Sequence, residues 1–326
     1  MKTYRTPRPA FTLTELLVTM LISLTIMAIA LPLVKFNLDE SRVREASRQL
    51  NAMFAKAKAQ AALLGRPVGI VFERDSATNS RCTQLHLAEI PLPFAGAVLN
   101  SRCRFTGTGP YTVEFVSGST GTTADTTSTA MLSTLITNGA KCAIRFDFKG
   151  PLYQGTANVS GTNVTVVLNS TTPLPPINAT QNLSYQLYRE PQRINNQELE
   201  LSRGTYIALD QSGFGGNGTQ FTPLNAMDTT GVAVMFSPAG HVSSAYASGL
   251  ASSPHAPDST VHFLVVRERN AATSTNPMTD LNKPINDPTN LWVSVGHLSG
   301  AVTTSDNQPG ASPRYYAQRH DVRGGR

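Results

Sequence analysis

Apolar residues run almost unbroken from Phe11 to Val34, with Glu15 as the single charge inside the run. A stretch of this kind has no polar face. As a helix it spans roughly 36 Å at about 1.5 Å per residue, enough for one bilayer core of about 30 Å with some tilt. The sequence therefore predicts a transmembrane helix over 11–34. Beyond Lys35 the apolar pattern becomes periodic. Val43, Ala46, Leu50, Met53, Ala57, Ala61 and Leu64 recur at three- and four-residue steps and define one stripe. Arg42, Arg44, Glu45, Arg48, Gln49, Lys56 and Lys58 fall largely on other faces. No proline or glycine lies between 35 and 64, while Gly65 and Pro67 supply a stop. The helix is thus predicted to continue outside the membrane over 35–65, with its stripe docked on a sheet.

After Pro67 the period shortens. Val68–Glu73, Gln84–Ile90, Tyr111–Val116, Ala143–Phe148, Asn163–Leu168, Leu183–Tyr188, Thr205–Leu209, Val232–Phe236, Val261–Arg267 and Leu291–His297 are β-branched or aromatic runs separated by Gly, Pro, Ser, Thr and Asn. No second long helix is predicted. The pattern gives an α+β fold: a long N-terminal helix, membrane-spanning in its first half, whose second half packs on an antiparallel sheet or sandwich. Residues 66–302 form the β-rich globular domain, with Ser117–Thr134 and Asn270–Asn290 as loop insertions. Residues 303–326 are expected to be a mobile tail.

Charge changes this picture little. The net charge of +6 sits at the two ends, with Lys2, Arg5 and Arg8 in the leader and Arg314, Arg319, Arg323 and Arg326 against Asp321 in the tail. The body between them is near neutral, which argues against a nucleic-acid groove on it. Cys82, Cys103 and Cys142 contain no C-x-x-C pair. One disulfide with a free thiol, or three reduced thiols, both fit. The histidines His86, His241, His255, His262, His297 and His320 are scattered without metal-ligand spacing, and no nucleophile elbow or P-loop is present. Gly213–Gly218 reads as a turn, since no helix follows it. These observations predict no catalytic residues, no metal and no cofactor.

The chemistry that stands out is at the N-terminus. A carboxylate inside a span costs about 2.5–3.5 kcal/mol on insertion scales, so Glu15 calls for a partner. The small residue Ala10 lies before the apolar run rather than after it. Cleavage between Ala10 and Phe11 would keep the run on the mature chain and create an amine four residues from Glu15. Pro32 removes a backbone donor within the helix and predicts a kink. The string Ala10-Phe11-Thr12-Leu13-Thr14-Glu15-Leu16-Leu17-Val18 resembles the processing site of type IV pilins and type II secretion pseudopilins. The resemblance covers roughly the first 60 residues and departs from the family in having Ala10 where glycine is usual. The segments Phe236–Val242 and Leu291–Val302 also resemble, weakly, strand pairs of H-type minor pseudopilins.

The resemblance implies a leader over 1–10, a prepilin peptidase that cuts between Ala10 and Phe11 and methylates Phe11, and a docking role for Glu15. It implies a minor structural subunit of a pilus-like or pseudopilus fibre, not an enzyme, with other pilin or pseudopilin subunits as partners. It further implies a single span in the cytoplasmic membrane and an extracytoplasmic globular domain. The alternative is a membrane-tethered binding or adhesion module.

Overall fold

The computed structural model describes residues 12–75, 80–107, 110–120, 122–169, 182–216, 218–225, 228–248, 250, 254–268, 284–310 and 312–323, with backbone only at 29–39, 195–196 and 320–323. Helix α1 runs Leu13–Leu64, capped at its start by Thr12, whose Oγ1 accepts from the Glu15 amide. It ends at Gly65 in the left-handed region (φ 64°), where a residue without Cβ turns the chain at no steric cost. The stripe Val43, Ala46, Leu50, Met53, Ala57 and Ala61 is buried, while Leu64 at the last turn is exposed.

The stripe lies against two sheets. The first has the order β10 (Gln192–Glu200), β3 (Gln84–Glu89), β1 (Val68–Phe72), β12 (Val232–Phe236), β13 (Val242–Tyr246). The second runs β16 (Val302–Asp306), β15 (Leu291–Val295), β14 (Val261–Arg267), β11 (Thr205–Phe214), β2 (Arg81–Cys82). All pairings are antiparallel. Phe54 of α1 sits at the centre of the shared core. Its ring centroid is 6.2 Å from Phe72, 5.9 Å from Phe236 and 5.8 Å from Phe263, so one helix residue ties both sheets together. At the far side of this body the tips of the β12–β13 and β15–β16 hairpins meet. Lys58 Nζ donates to the Gly300 carbonyl at 2.8 Å there. A Cβ on Gly300 would stand 1.9 Å from the Gly240 oxygen, so the close approach requires glycine.

The third sheet is inserted between β3 and β10 and has its own core. Its order is β4 (Ser101–Thr106), β5 (Thr112–Ser117), β8 (Asn163–Leu168), β7 (Lys149–Ser160), β6 (Lys141–Phe146), β9 (Tyr185–Arg189). Helix α2 (Thr126–Leu135) covers it through Leu132. The chain enters this lobe through Ile90-Pro91-Leu92-Pro93 and leaves it through Glu190-Pro191.

Several expectations are corrected. Three sheets and two large cores replace the single sheet or sandwich, so the chain is β-rich in a way the α+β description does not capture. The expected single-pass anchor over 11–34 is not supported: among the described residues no helix is long and apolar enough to cross a membrane. The assignment to a cytoplasmic membrane with the globular part outside it falls with that anchor. Residues 117–134 are not a plain loop, since α2 lies in them. The tail is not mobile throughout: β16 pairs with β15, and helix α3 (Tyr315–Arg323) packs Ala317 against Tyr206, Leu264 and Trp292 on the outer face of the second sheet. The expected strand Ala143–Phe148 ends at Phe146, because Asp147 and Phe148 have positive φ (50° and 58°) and form the turn into β7.

Candidate functional site

Ala10 and Phe11, the expected processing site and methylation site, lie outside the described residues. Pro32 lies within the α1 backbone, and its side chain is not described. Glu15 is exposed in the first turn of α1, where a carboxylate complements the positive end of the helix.

What it does show is a bare apolar helix surface. Leu16, Leu17, Val18, Met20, Leu21, Ile22 and Leu24 are each more than half exposed, and at about 100° per residue they cover about two thirds of the circumference, the rest carrying Thr19, Ser23 and Ile26. The hydroxyls among them bond inward: Thr19 Oγ1 donates to the Leu16 carbonyl at 2.9 Å, and Ser23 Oγ to the Thr19 carbonyl at 2.8 Å. Thr25 Oγ1 donates to the Ile22 carbonyl at 2.8 Å. The surface therefore offers almost no free polar group, and contact with water along its length is unfavourable by about 25 cal/mol per Å² of apolar area.

A second feature lies between the third sheet and the first. It is a half-open cavity of about 460 Å³ lined mostly by apolar groups: Pro67, Ile90, Leu92 and Tyr246 from the body side, Leu152 and Tyr188 from the inserted lobe. Arg66, Lys141, Arg189 and Glu190 supply the charges. Arg66 pairs with Glu89 at 2.6 Å. Burial raises the Glu190 carboxyl, opposed by the nearby Lys141 ammonium and amide. Arg189 has its Nε buried with no hydrogen-bond partner, and it belongs to no ion pair among the described residues. Sequence reading missed this place. The proline-flanked crossings at 90–93 and 190–191 were the one local signal for it.

Other polar groups are structural. Burial would raise the Asp228 carboxyl, but the Ser248 hydroxyl and the Leu224 and Thr230 amides outweigh it and hold the pKa at about 2. Burial raises the thiols of Cys82, Cys103 and Cys142, the last to about 12, and all three are free. Ser237 Oγ lies 2.9 Å from His241 Nδ1, and among the described residues no carboxylate bonds to that imidazole. No group of three His, Cys, Asp or Glu that can hold a metal occurs among the described residues.

His262 is 1% exposed and its Nδ1 lies 2.7 Å from Ser294 Oγ. Burial, assisted by the nearby Arg314 charge, lowers its pKa to about 3. Between pH 6.5 and 3 the unfolded chain therefore binds a proton that the folded chain refuses. This contribution to stability is complete above 6.5 and falls by about 1.4 kcal/mol per pH unit as the pH drops through the window. Urea midpoints measured between pH 7 and pH 4.5 should decline more steeply for wild type than for His262→Gln. Parallel declines would place the imidazole in contact with solvent.

Comparison with protein-family models, with curated proteins and with solved structures gives no match. The pilin and pseudopilin resemblance thus stands on the N-terminal string alone and gains no support as a family or a fold. Membership of that family and the single-pass membrane location that it implied are withdrawn.

Proposed function

We propose that this chain is a non-enzymatic structural subunit that assembles with neighbouring subunits into a fibre through the apolar first half of α1. The observation that supports this reading is the exposed helix surface at 13–28. A helix whose large apolar side chains take up most of its circumference is one that is normally covered, and the body of this chain leaves it bare. Helices of neighbouring subunits would cover it, each contributing the same surface, so that one interface type repeats. A heterologous interface whose rotation does not close generates an open fibre. In this reading a processing peptidase removes residues 1–10. The new amine of Phe11 then meets the Glu15 carboxylate of a neighbour, which neutralises the one charge the apolar contact would bury.

The test uses the full chain and the double variant Leu17→Glu/Ile22→Glu. Wild type is expected to sediment as large assemblies and to show fibres by electron microscopy. The variant is expected to be monomeric with an unchanged thermal midpoint, since both sites are remote from the core. Glu15→Ala in the processed chain should assemble more weakly than wild type. A monomeric wild type, or a double variant that assembles as wild type does, overturns the reading.

A further inference from the structure

The cavity between the inserted lobe and the first sheet has no role in assembly through α1, and its composition asks for a ligand. Its walls are apolar, built from prolines, Leu92, Leu152 and two tyrosines, and Leu92 is 71% exposed. Its volume of about 460 Å³ falls in the range of small-molecule sites, about 300–1,000 Å³. Against this apolar wall stands Arg189, a cation with no carboxylate opposite it among the described residues and a buried Nε without a partner. A guanidinium left partly dehydrated and unpaired is unfavourable. Burial is the only influence acting on it, and it pulls the Arg189 pKa down. Lys141 lines the same cavity, so the local field favours an anion. Glu190 is the carboxyl that lines the cavity, and the Lys141 charge and amide act on it.

We propose that this cleft binds a small aliphatic carboxylic acid, its chain along the proline- and leucine-lined wall and its carboxylate on Arg189 and Lys141. Arginine offers a planar fork that matches a carboxylate with two parallel hydrogen bonds, and lysine adds a point charge. An extended peptide is a poorer fit, because the strand edges beside the cleft are already used. On β13, Ala245 exchanges both backbone hydrogen bonds with His255, at 2.8 and 2.9 Å. On β9, Leu187 does the same with Phe94, both at 2.8 Å. A peptide that docks by strand addition needs such an edge free. The two proline-flanked crossings place the lobe so that a ligand would touch residues of both sheets at once.

Equilibrium dialysis of the full chain against decanoate, decanol and decylammonium, each below its micelle concentration, tests this. The three probes share a tail and differ in the head group. Wild type should show one saturable site with decanoate bound about ten- to a hundred-fold more tightly than decanol, the worth of a charge-assisted hydrogen bond, and decylammonium weakest. Arg189→Gln should remove most of the preference for decanoate over decanol, leaving the smaller part that Lys141 supplies, with the thermal midpoint unchanged because no ion pair is lost. Lys141→Gln should weaken decanoate by a smaller factor. The exposed part of α1 also takes up apolar probes, but that uptake is indifferent to head group and equal in both variants. Equal affinity for the three probes, decanoate binding untouched by Arg189→Gln, or tighter binding of a short apolar peptide with a free C-terminus than of decanoate would overturn the proposal. None of these results depends on whether the chain forms fibres.

Discussion

Leu50→Asp is expected to leave little folded protein, while Ala52→Asp, two residues away on the same helix, should cost no more than about 1 kcal/mol. Leu50 is fully buried in the core that α1 shares with the first two sheets, and Ala52 is exposed. An aspartate at 50 either loses its proton and stands unpaired in the apolar core that also holds Phe54, Phe72 and Phe263, or keeps it and still leaves a polar group without a partner. Either way the cost is several kcal/mol, a large part of the about 5–15 kcal/mol that holds a domain together. The cavity left by the leucine adds to it. Urea midpoints by circular dichroism, or soluble yield where the first variant fails to purify, decide the matter. Equal midpoints would mean that the two sheets fold without α1, and the helix would then be an appendage rather than the spine of the body.

The legible part of this fold is the part whose pattern is local. The stripe from Val43 to Ala61 could be read because a helix repeats every 3.6 residues and the buried face needs no knowledge of what covers it. β8, β12 and β14 could be read because they are short β-branched runs bounded by turn residues. β7 was hard to read: Lys149–Ser160 opens on Gly150 and Pro151 and has Gly155 at its middle, which obscure the alternation of Tyr153, Ala157 and Val159 with Gln154, Thr156, Asn158 and Ser160. It is a strand because of its neighbours. A Cβ on Gly155 would stand 2.7 Å from both Val166 Cγ1 and the Val167 oxygen, so β8 demands a glycine there. β10 was missed for a similar reason, being a polar edge strand with a bulge between Arg193 and Glu198. The threonine- and serine-rich α2 looked like loop, since these side chains compete for the backbone. Here Asp125 caps the helix by accepting from the Ser128 amide at 3.0 Å, and the Thr129 hydroxyl bonds back to the Asp125 carbonyl, also at 3.0 Å.

The candidate sites divide along the same line. The apolar character of 13–28 is visible in the sequence, but whether anything covers it is not. Sequence alone pointed to a lipid bilayer, but among the described residues no helix is long and apolar enough to cross one. The cleft was invisible, because Arg66, Lys141, Arg189 and Tyr246 are far apart in the chain and meet only when the inserted lobe folds back on β13 and β3. An unpaired arginine has no sequence signature at all. It is recognised by what is missing around it.

The C-terminal segment is where the structure departs furthest from the tail expected of it, and Arg314 is the reason. Its side chain is 4% exposed. Nη1 donates to the Gly215 carbonyl, and Nη2 to those of Gln211 and Gly218, each at 2.7 Å. The guanidinium also lies 4.8 Å from the centroid of the Trp292 ring, a cation–π contact that strengthens as water is excluded. Burial lowers its pKa to about 10, so the charge is still present at neutral pH. Trp292 in turn donates from Nε1 to Asn307 Oδ1 and to the Pro313 carbonyl, both at 3.0 Å. One cation therefore holds the 211–218 turn, the second sheet and the start of α3 together. Arg314→Ala would strand three carbonyls and uncover the tryptophan. At about 1.5–3 kcal/mol for a hydrogen bond to a charged group, with strong non-additivity, the expected loss is about 3 kcal/mol or more. Arg314→Lys can reach one of the carbonyls and should fall between the two. Limited trypsin digestion reads the local effect: Arg319 should be cut far faster in Arg314→Ala than in wild type, and the urea midpoint should fall with it. If Arg319 stays protected and the midpoint is unchanged, α3 is held by Ala317 and its neighbours on the sheet, and the arginine is dispensable.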